Sequence, residues 1–455
     1  MKKIIYFTTL FFIFSLNLLD AQISDFKLSD YKLADYKRQG ISLNFRLNGG
    51  QSNSKIGKEI YYSNAFFDNA LSGGYFFHKN NRHYSSHIQV DFDGDAQFLK
   101  SQIETLSNSK VTNLLGELNI SSSQRFFNAE QYFIGFGFFG ALSRSKSISK
   151  RKFFQSGNWV DTTGNLINKI DNFQANPSMS IGKGRIEPIE DARQALYILE
   201  ELQKSNRLKR DLTNDEILEF SKLITQLKNE RVLDSRLHKI RELTQIDSFL
   251  VQSGFVEAND IEYYTRLNDM WDFGGLPTRN SGFQISLIYQ PTFSYYKSEV
   301  PMQADILNKD FRQGYAFELR WEKPINHKFQ SSLSLLGEFY SSSQNNAKTR
   351  NLYPHLNYSF GIYPNTRTNL VFSVRLYYNQ TWHNVDTRQN SQWTFEEINM
   401  TCIPYFNLYY YISPNLRLSA AYNANMNWRN TITIDGRKAL FIQNSLNFSM
   451  LYSIF

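Results

Sequence analysis

"LRLSAAYNANMNWR", residues 416–429, alternates with a period of two. Leu416, Leu418, Ala420, Tyr422, Ala424, Met426 and Trp428 fall on one side of an extended chain. Arg417, Ser419, Ala421, Asn423, Asn425, Asn427 and Arg429 fall on the other. Successive side chains of a strand point to opposite faces, so this run has one apolar and one polar face. At about thirteen residues it outruns the five or six usual for a strand in a small sandwich. It suits a tilted membrane strand, which needs about 9 to 11 residues within the hydrocarbon.

The same pattern recurs along most of the chain. "ISLNFRLNG" sets Ile41, Leu43, Phe45 and Leu47 against Ser42, Asn44, Arg46 and Asn48. "YSSHIQVDFD" sets Ile88, Val90 and Phe92 against His87, Gln89 and Asp91. "YAFELRWE" and "NLVFSVRLYYN" behave alike, with Glu318, Arg320 and Arg375 on the polar sides. Candidate strands cover 41–49, 69–78, 83–93, 111–122, 131–143, 175–184, 281–290, 314–322, 328–341, 352–362, 368–380, 395–411, 415–428 and 439–454. The fold class is therefore mainly β: a transmembrane antiparallel barrel of about 14 strands, within a range of about 12 to 16, the even number found in single-chain bacterial barrels.

Composition agrees. There are 38 Phe and 27 Tyr against 10 Pro, and mean hydropathy is −0.45, which excludes a helical membrane protein. A barrel hides its membrane signal because each strand is only half apolar. The opening "MKKIIYFTTLFFIFSLNLLDAQ" has Lys2 and Lys3, an apolar run from Ile4 to Leu19, and Ala21 as a cleavage point. That is the layout of a signal peptide over 1–21, with an N-terminal membrane anchor as the alternative. Cys402 is the only cysteine, so no intramolecular disulfide can form. The net charge of +8 is dispersed, and residues 185–280 carry 18 acidic against 14 basic side chains. Without a dense basic run, nucleic-acid binding is not expected.

Tight connections, rich in Asn and Pro, fall at 78–83, 125–130, 323–328, 363–369 and 413–416. Longer ones fall at 50–68, 94–110, 144–174, 291–313, 342–351, 381–394 and 429–438. The two kinds alternate, and in such barrels short turns face the periplasm. At one tight-turn position the chain builds helices instead. Pro188 suits the first turn of a helix, and Ala192, Ala195, Leu196, Leu199 and Leu202 make its apolar stripe. Thr213 with Glu216 reads as a capping box before Ile217, Phe220, Leu223, Ile224 and Leu227. A third helix over 233–253 is expected to bury Leu237, Ile240, Leu243, Ile246 and Leu250, with Gly254 as its stop, and a fourth covers 257–271. The domain reading is a signal peptide at 1–21, an N-terminal periplasmic segment at 22–40, barrel halves at 41–184 and 281–455, and a small all-α periplasmic insert at 185–280.

The final "LNFSMLYSIF" is an amphipathic strand ending in Phe455. With the signal peptide it resembles the C-terminal signature of Gram-negative outer-membrane β-barrel proteins, porin-like in layout, although Phe455 is out of step with the Leu446, Phe448, Met450, Tyr452 and Ile454 face. The insert, opening on "GKGRIEP" and "DARQA", is similar to one carried by outer-membrane barrels to which no activity is attached. The resemblance implies a bacterial outer-membrane location, with lipid around the barrel and the insert in the periplasm.

Little in the sequence points to chemistry. The seven His are scattered, with no metal-ligand spacing, and "GKGRIE" lacks the downstream Lys-Ser/Thr of a phosphate loop. No catalytic residue, metal or cofactor is expected. His87, sharing a face with Gln89 and Asp91, comes nearest to a general base. Candidate lumen-lining residues are Arg46, His87, Asp91, Glu117, Glu318, Arg320, Glu338, Arg375 and Arg417. Arg207, Lys209 and Arg210 form the one basic cluster of the insert and are the candidate partner-binding residues. Three Asp-aromatic-Lys units between Asp25 and Lys37 read either as a soluble tail or as a docking strip. The function expected is a passive channel for small polar solutes with the helical insert as cap or gate. The alternative is an envelope scaffold whose insert binds a periplasmic protein or envelope polymer, and a barrel-embedded lipid-active enzyme stands third.

Overall fold

Among the described residues, sixteen strands fill fourteen consecutive places in one antiparallel sheet, and four α-helices stand where one turn between strands would be. The structure is a computed structural model. It describes residues 26–452 apart from 57–59, 104–106, 156–157, 162–165, 231–234, 257–259, 276–277, 302, 345–346, 387–391, 414–415 and 433–437. The signal-peptide reading and the terminal Phe455 lie outside the described residues.

The strands are β1 Tyr36–Ile56, β2 Ile60–Asn80, β3 Tyr84–Ile103, β4 Ser107–Phe127, β5 Tyr132–Gln155, β6 Asn158–Asp161, β7 Leu166–Pro188 and β8 Asn280–Tyr289. Then come β9 Thr292–Glu299, β10 Ile306–Pro324, β11 Phe329–Gln344, β12 Ala347–Asn365, β13 Thr368–Asp386, β14 Gln392–Ser413, β15 Leu416–Ile432 and β16 Lys438–Tyr452. Each pairs with its sequence neighbours, so the sheet is an up-and-down meander. Two strands do not add to the fourteen. β6 is a short flap on β5, and β8 with β9 is one wall strand interrupted at Gln290 and Pro291, where proline cannot donate to the ladder. The sheet curls into a barrel whose first and last strands are β1 and β16.

The apolar positions face outward and stay exposed on the internal strands too: Ile181 is 59% accessible, Leu287 57% and Ile134 53%. A large continuous apolar surface of this kind belongs against lipid. The expected long loops are ladder instead. β1 and β2 stay paired from Tyr36 and Asn80 up to Ile56 and Ile60, and β3 and β4 up to Ile103 and Ser107. A strand of 20 residues, such as β3, runs about 65 Å, far beyond a hydrocarbon band about 25 Å tall. Beyond the lipid both faces meet water. The apolar alternation therefore stops although the hydrogen bonding continues.

At the opposite rim the turns are tight, and asparagine builds them. Asn81 Oδ1 accepts from the His83 and Tyr84 amides, Asn128 Oδ1 from Glu130 and Tyr132, and Asn326 Oδ1 from Lys328 and Phe329. Each side chain supplies the acceptor that a reversing backbone lacks.

The insert holds α1 Glu190–Lys204, α2 Asn214–Asn229, α3 Ser235–Gln252 and α4 Ile261–Phe273. Pro188 is not in the first helix: it ends β7 opposite Asn280, and α1 begins two residues later. Gly184 (φ +93°) and Gly282 (φ +127°) sit at the base of the insert, where a Cβ would lie about 2 Å from a backbone oxygen across the pair. Only glycine allows the two strands to approach while turning out of the wall. The capping box of Thr213 and Glu216 forms as expected. Gly254 closes α3 in the left-handed conformation. Ile246 and Leu250 are buried and Leu243 packs against the same core, but Ile240 is 72% exposed; the Leu237 side chain lies outside the described residues.

The Asp-aromatic-Lys segment is no free tail. Phe26, Leu28 and Tyr31 are buried in the core of the insert, around a 3₁₀ turn at Leu28–Asp30. Tyr31 Oη lies 2.5 Å from Thr225 Oγ1, which donates to Asp191 Oδ2, and Lys228 Nζ donates to Asp191 Oδ1. The chain before β1 is thus a strap laid through the helical domain. Truncating a large buried aromatic costs about 3–5 kcal/mol. Phe26→Ala is expected to lower the melting temperature of the far-UV helical signal while the β signal of the barrel melts as in wild type.

Candidate functional site

The polar face of the sheet is the concave one. Arg125 Nη1 on β4 donates to Gln284 Oε1 on β8 at 2.9 Å, across β5 and β7. A contact spanning two intervening strands is possible only inside a curl. Gly135 and Gly137 on β5 face Ser180 and Ser178 on β7 and leave room for it, the Arg125 side chain lying over Gly135.

All nine expected wall residues lie on this face. On the first arc, Arg46 is 3.6 Å from Asp68, Asp91 accepts from Gln89 at 2.6 Å, and Glu117 lies in register between Asp93 and Ser143. His87 stacks edge-on against His78, with ring nitrogens 3.0 Å apart. On the middle arc, Glu318 accepts from Gln284 and Ser286, and Arg320 lies 3.9 Å from Glu322. Farther round, Glu338 accepts from Tyr340 Oη at 2.7 Å and Arg375 pairs in register with Asn357 and Ile403. Arg417 lies over the Tyr411 ring, 5.3 Å from its centroid. Against β12–β16 this face holds a cavity of about 590 Å³ lined by Tyr353, Tyr377, Asn379, Thr401, Asn427 and Arg429 among others.

The insert sits on the tight-turn rim, and α1 is the seat. Ten of its fifteen residues are buried, more than one apolar stripe would need, because it has two buried faces. One holds the apolar stripe of the helical core. The other carries Arg193, Tyr197 and Glu200, spaced four and three apart, and meets the turns. Tyr197 Oη donates to Tyr363 O at 3.1 Å, and Glu200 lies 3.4 Å from His327 Nε2 and 3.6 Å from Lys328 Nζ. The His327 imidazole, ahead of Lys204, brings the Glu200 carboxyl down to about 2 against its burial. The charges on this face therefore meet the turns of the barrel rather than solvent.

Arg279, the residue before β8, clamps the same place. Nη1 donates to His327 O at 2.6 Å, Nη2 to Asn326 O at 2.8 Å and Phe329 O at 2.7 Å, and Nε to Gln330 Oε1 at 2.9 Å. This guanidinium and that of Arg193 both lie over the Tyr363 ring, 5.0 Å and 5.9 Å from its centroid. Burial, with Arg193 nearby, pushes Arg279 down to about 9, so it is still a cation at neutral pH. The Phe273 ring packs tilted against that of Tyr411, 5.2 Å between centroids, at a third turn. Arg193, Tyr197, Glu200, Arg279, His327 and Tyr363 are absent from the sequence-derived candidates. The spacing of the first three was a legible second stripe; the turn residues had no local signal.

The basic cluster of the insert is used internally. Arg207 pairs with Asp260 at 2.6 Å and Glu262 at 3.3 Å, and Arg210 donates to both oxygens of Glu216. Lys209 is bound through its backbone amide to Phe255 O.

The translocator domain of the autotransporter NalP from Neisseria meningitidis is similar at 6% identity and a TM-score of 0.24, over 78% of this chain and 88% of that one. The loop L8 deletion mutant of OmpT, an outer membrane protein of Vibrio cholerae, is similar at 7% identity and a TM-score of 0.29, over 91% of this chain and 100% of that one. Likenesses at these TM-scores carry no argument, and the outer-membrane type of β-barrel is assigned from the ladder and its apolar exterior. No family model and no curated protein matches the sequence.

Arg279→Ala strands buried turn carbonyls, at about 1–3 kcal/mol for each left unmade. Insert proteolysis in the folded protein is expected to rise at least tenfold, with Arg279→Lys intermediate. For Glu200 the folded value, about 2, is below the ordinary 4.5. Its contribution is therefore full above pH 4.5 and is lost as pH falls toward 2. The melting temperature of the helical signal should fall across that window, and Glu200→Gln should flatten the fall.

Proposed function

We propose that this protein is a bacterial outer-membrane channel for small polar solutes, with the helical insert covering its periplasmic mouth. The observation that carries the reading is the combination of a polar, cavity-bearing concave wall with α1 laid across the tight-turn rim. Short turns face the periplasm in barrels of this kind, which puts the insert on that side. A barrel of fourteen strands is wider than the eight-strand barrels whose interiors fill with side chains. The nine residues from Arg46 to Arg417 then line the lumen, both signs of charge included, and lipid surrounds the apolar exterior.

The fixed seating of α1 also favours a second reading. A cap clamped by Arg279 and Glu200 is a firm platform, as an envelope scaffold needs for a periplasmic protein or polymer. Arg207, Lys209 and Arg210 would serve it less well than expected, since Arg207 and Arg210 already have carboxylate partners. The barrel-enzyme reading has less support still: His87 bonds to His78, and Asp91 to Gln89.

Planar bilayers separate the readings. Wild type should give small unitary currents, and replacing residues 189–279 by an Asn-Gly turn should raise them severalfold. Silence from both proteins, each shown to be folded by heat-resistant migration in gels, would end the channel reading and leave the scaffold.

A further inference from the structure

Where strap, insert and barrel meet, the chain lines an open-sided pocket of about 380 Å³, within the size range of small-molecule sites. Its walls come from separate elements: Tyr36 and Arg38 of β1, Glu190 and Gln194 of α1, Lys228 of α2, and Trp271 and Gly275 at the end of α4. Gln194 is 1% exposed, and its Nε2 donates to Met270 O at 3.2 Å and Trp271 O at 2.7 Å. Those two bonds fix the orientation of the amide. Oε1 is thereby held as a buried acceptor, and no described residue donates to it. Buried polar atoms in folded proteins nearly always have partners, so an acceptor with no donor among the described residues marks a place for a ligand's N–H.

Gly275 marks where that donor would sit. A Cβ built on it would lie 3.4 Å from Gln194 Oε1 and 3.4 Å from Lys228 Nζ. An acceptor and a cation thus converge on one volume that no other described side chain is shown to fill. Lys228 gives one N–H to Asp191, and an ammonium carries three. Glu190, one turn before Gln194 on α1, adds a carboxylate beside the acceptor, and burial raises its pKa. Arg38 adds a second cation.

We propose that this cavity binds a zwitterionic amino acid or dipeptide. The ammonium is received by Gln194 Oε1 and Glu190, the carboxylate by Lys228 and Arg38, and Trp271 and Tyr36 wall the remainder. Because strap, insert and β1 all contribute, an occupied site also ties the cap to the barrel, in the way any ligand of the native state stabilises it.

The test is calorimetric titration of the full chain folded in detergent, with L-alanine and L-alanyl-L-alanine as probes and propylamine, propionate and glycerol as controls. Saturable binding of at least one zwitterion, at least tenfold tighter than every control, is expected. Gly275→Ala, which places a methyl group in the shared volume, should weaken binding at least tenfold and leave the ligand-free melting temperature unchanged. Glu190→Gln keeps the shape, removes the charge, and should weaken binding about as much; it decides the matter if Gly275→Ala proves unstable. Heat of dilution alone from both zwitterions would mean a cavity holding only water and would overturn the proposal. Equal affinity for glycerol, or binding untouched by both variants, would overturn it as well.

Discussion

Backbone hydrogen bonding in lipid is the constraint on which the whole molecule depends. No water within the hydrocarbon can serve an exposed amide, so each strand must be served on both sides by its neighbours. The ladder running from β1 to β16 meets this demand along its internal strands. The outward side chains are then free to be Phe, Leu, Ile and Tyr, and the concave ones to be Asn, Ser, Thr and a few charges. Even the interruption at Gln290 and Pro291 respects the rule, since Gln290 recovers a bond by donating to Gly314 O.

The helical insert is held by a different physics. It has a small core of its own, completed by Phe26, Leu28 and Tyr31 from the strap, and it rests on the rim through polar groups. Arg279 satisfies turn carbonyls that would otherwise be buried without donors, and Glu200 meets His327 and Lys328. The burial of these charges is tolerable because each has specific partners. Arg193 is the exception. Its guanidinium lies near the Tyr197 and Tyr363 rings, and among the described residues its nitrogens have no hydrogen-bonding partner.

Much of this was legible in the sequence. Period-two alternation placed fourteen wall strands, because lipid outside and water inside impose opposite chemistry on alternate residues. Asparagine at the turns and the Thr213–Glu216 capping box were readable because they are local. Strand ends beyond the lipid were not, since water on both faces erases the alternation while the ladder persists. Pro188 misled for a related reason. Its fixed φ suits a helix start as well as a strand end, and the pairing with Asn280 that decides between them is remote in sequence.

The sequence by itself determined the barrel, the face each wall residue occupies and the existence of a helical domain at a tight-turn position, since all three follow from repeats of two or about 3.6 residues. Only the tertiary structure decided what the strap does, which face of α1 carries Arg193, Tyr197 and Glu200 onto the turns, and that Gln194 and Lys228 look into one cavity. These contacts join residues tens to more than a hundred positions apart. No local pattern records them, because they arise when separately folded elements close on one another.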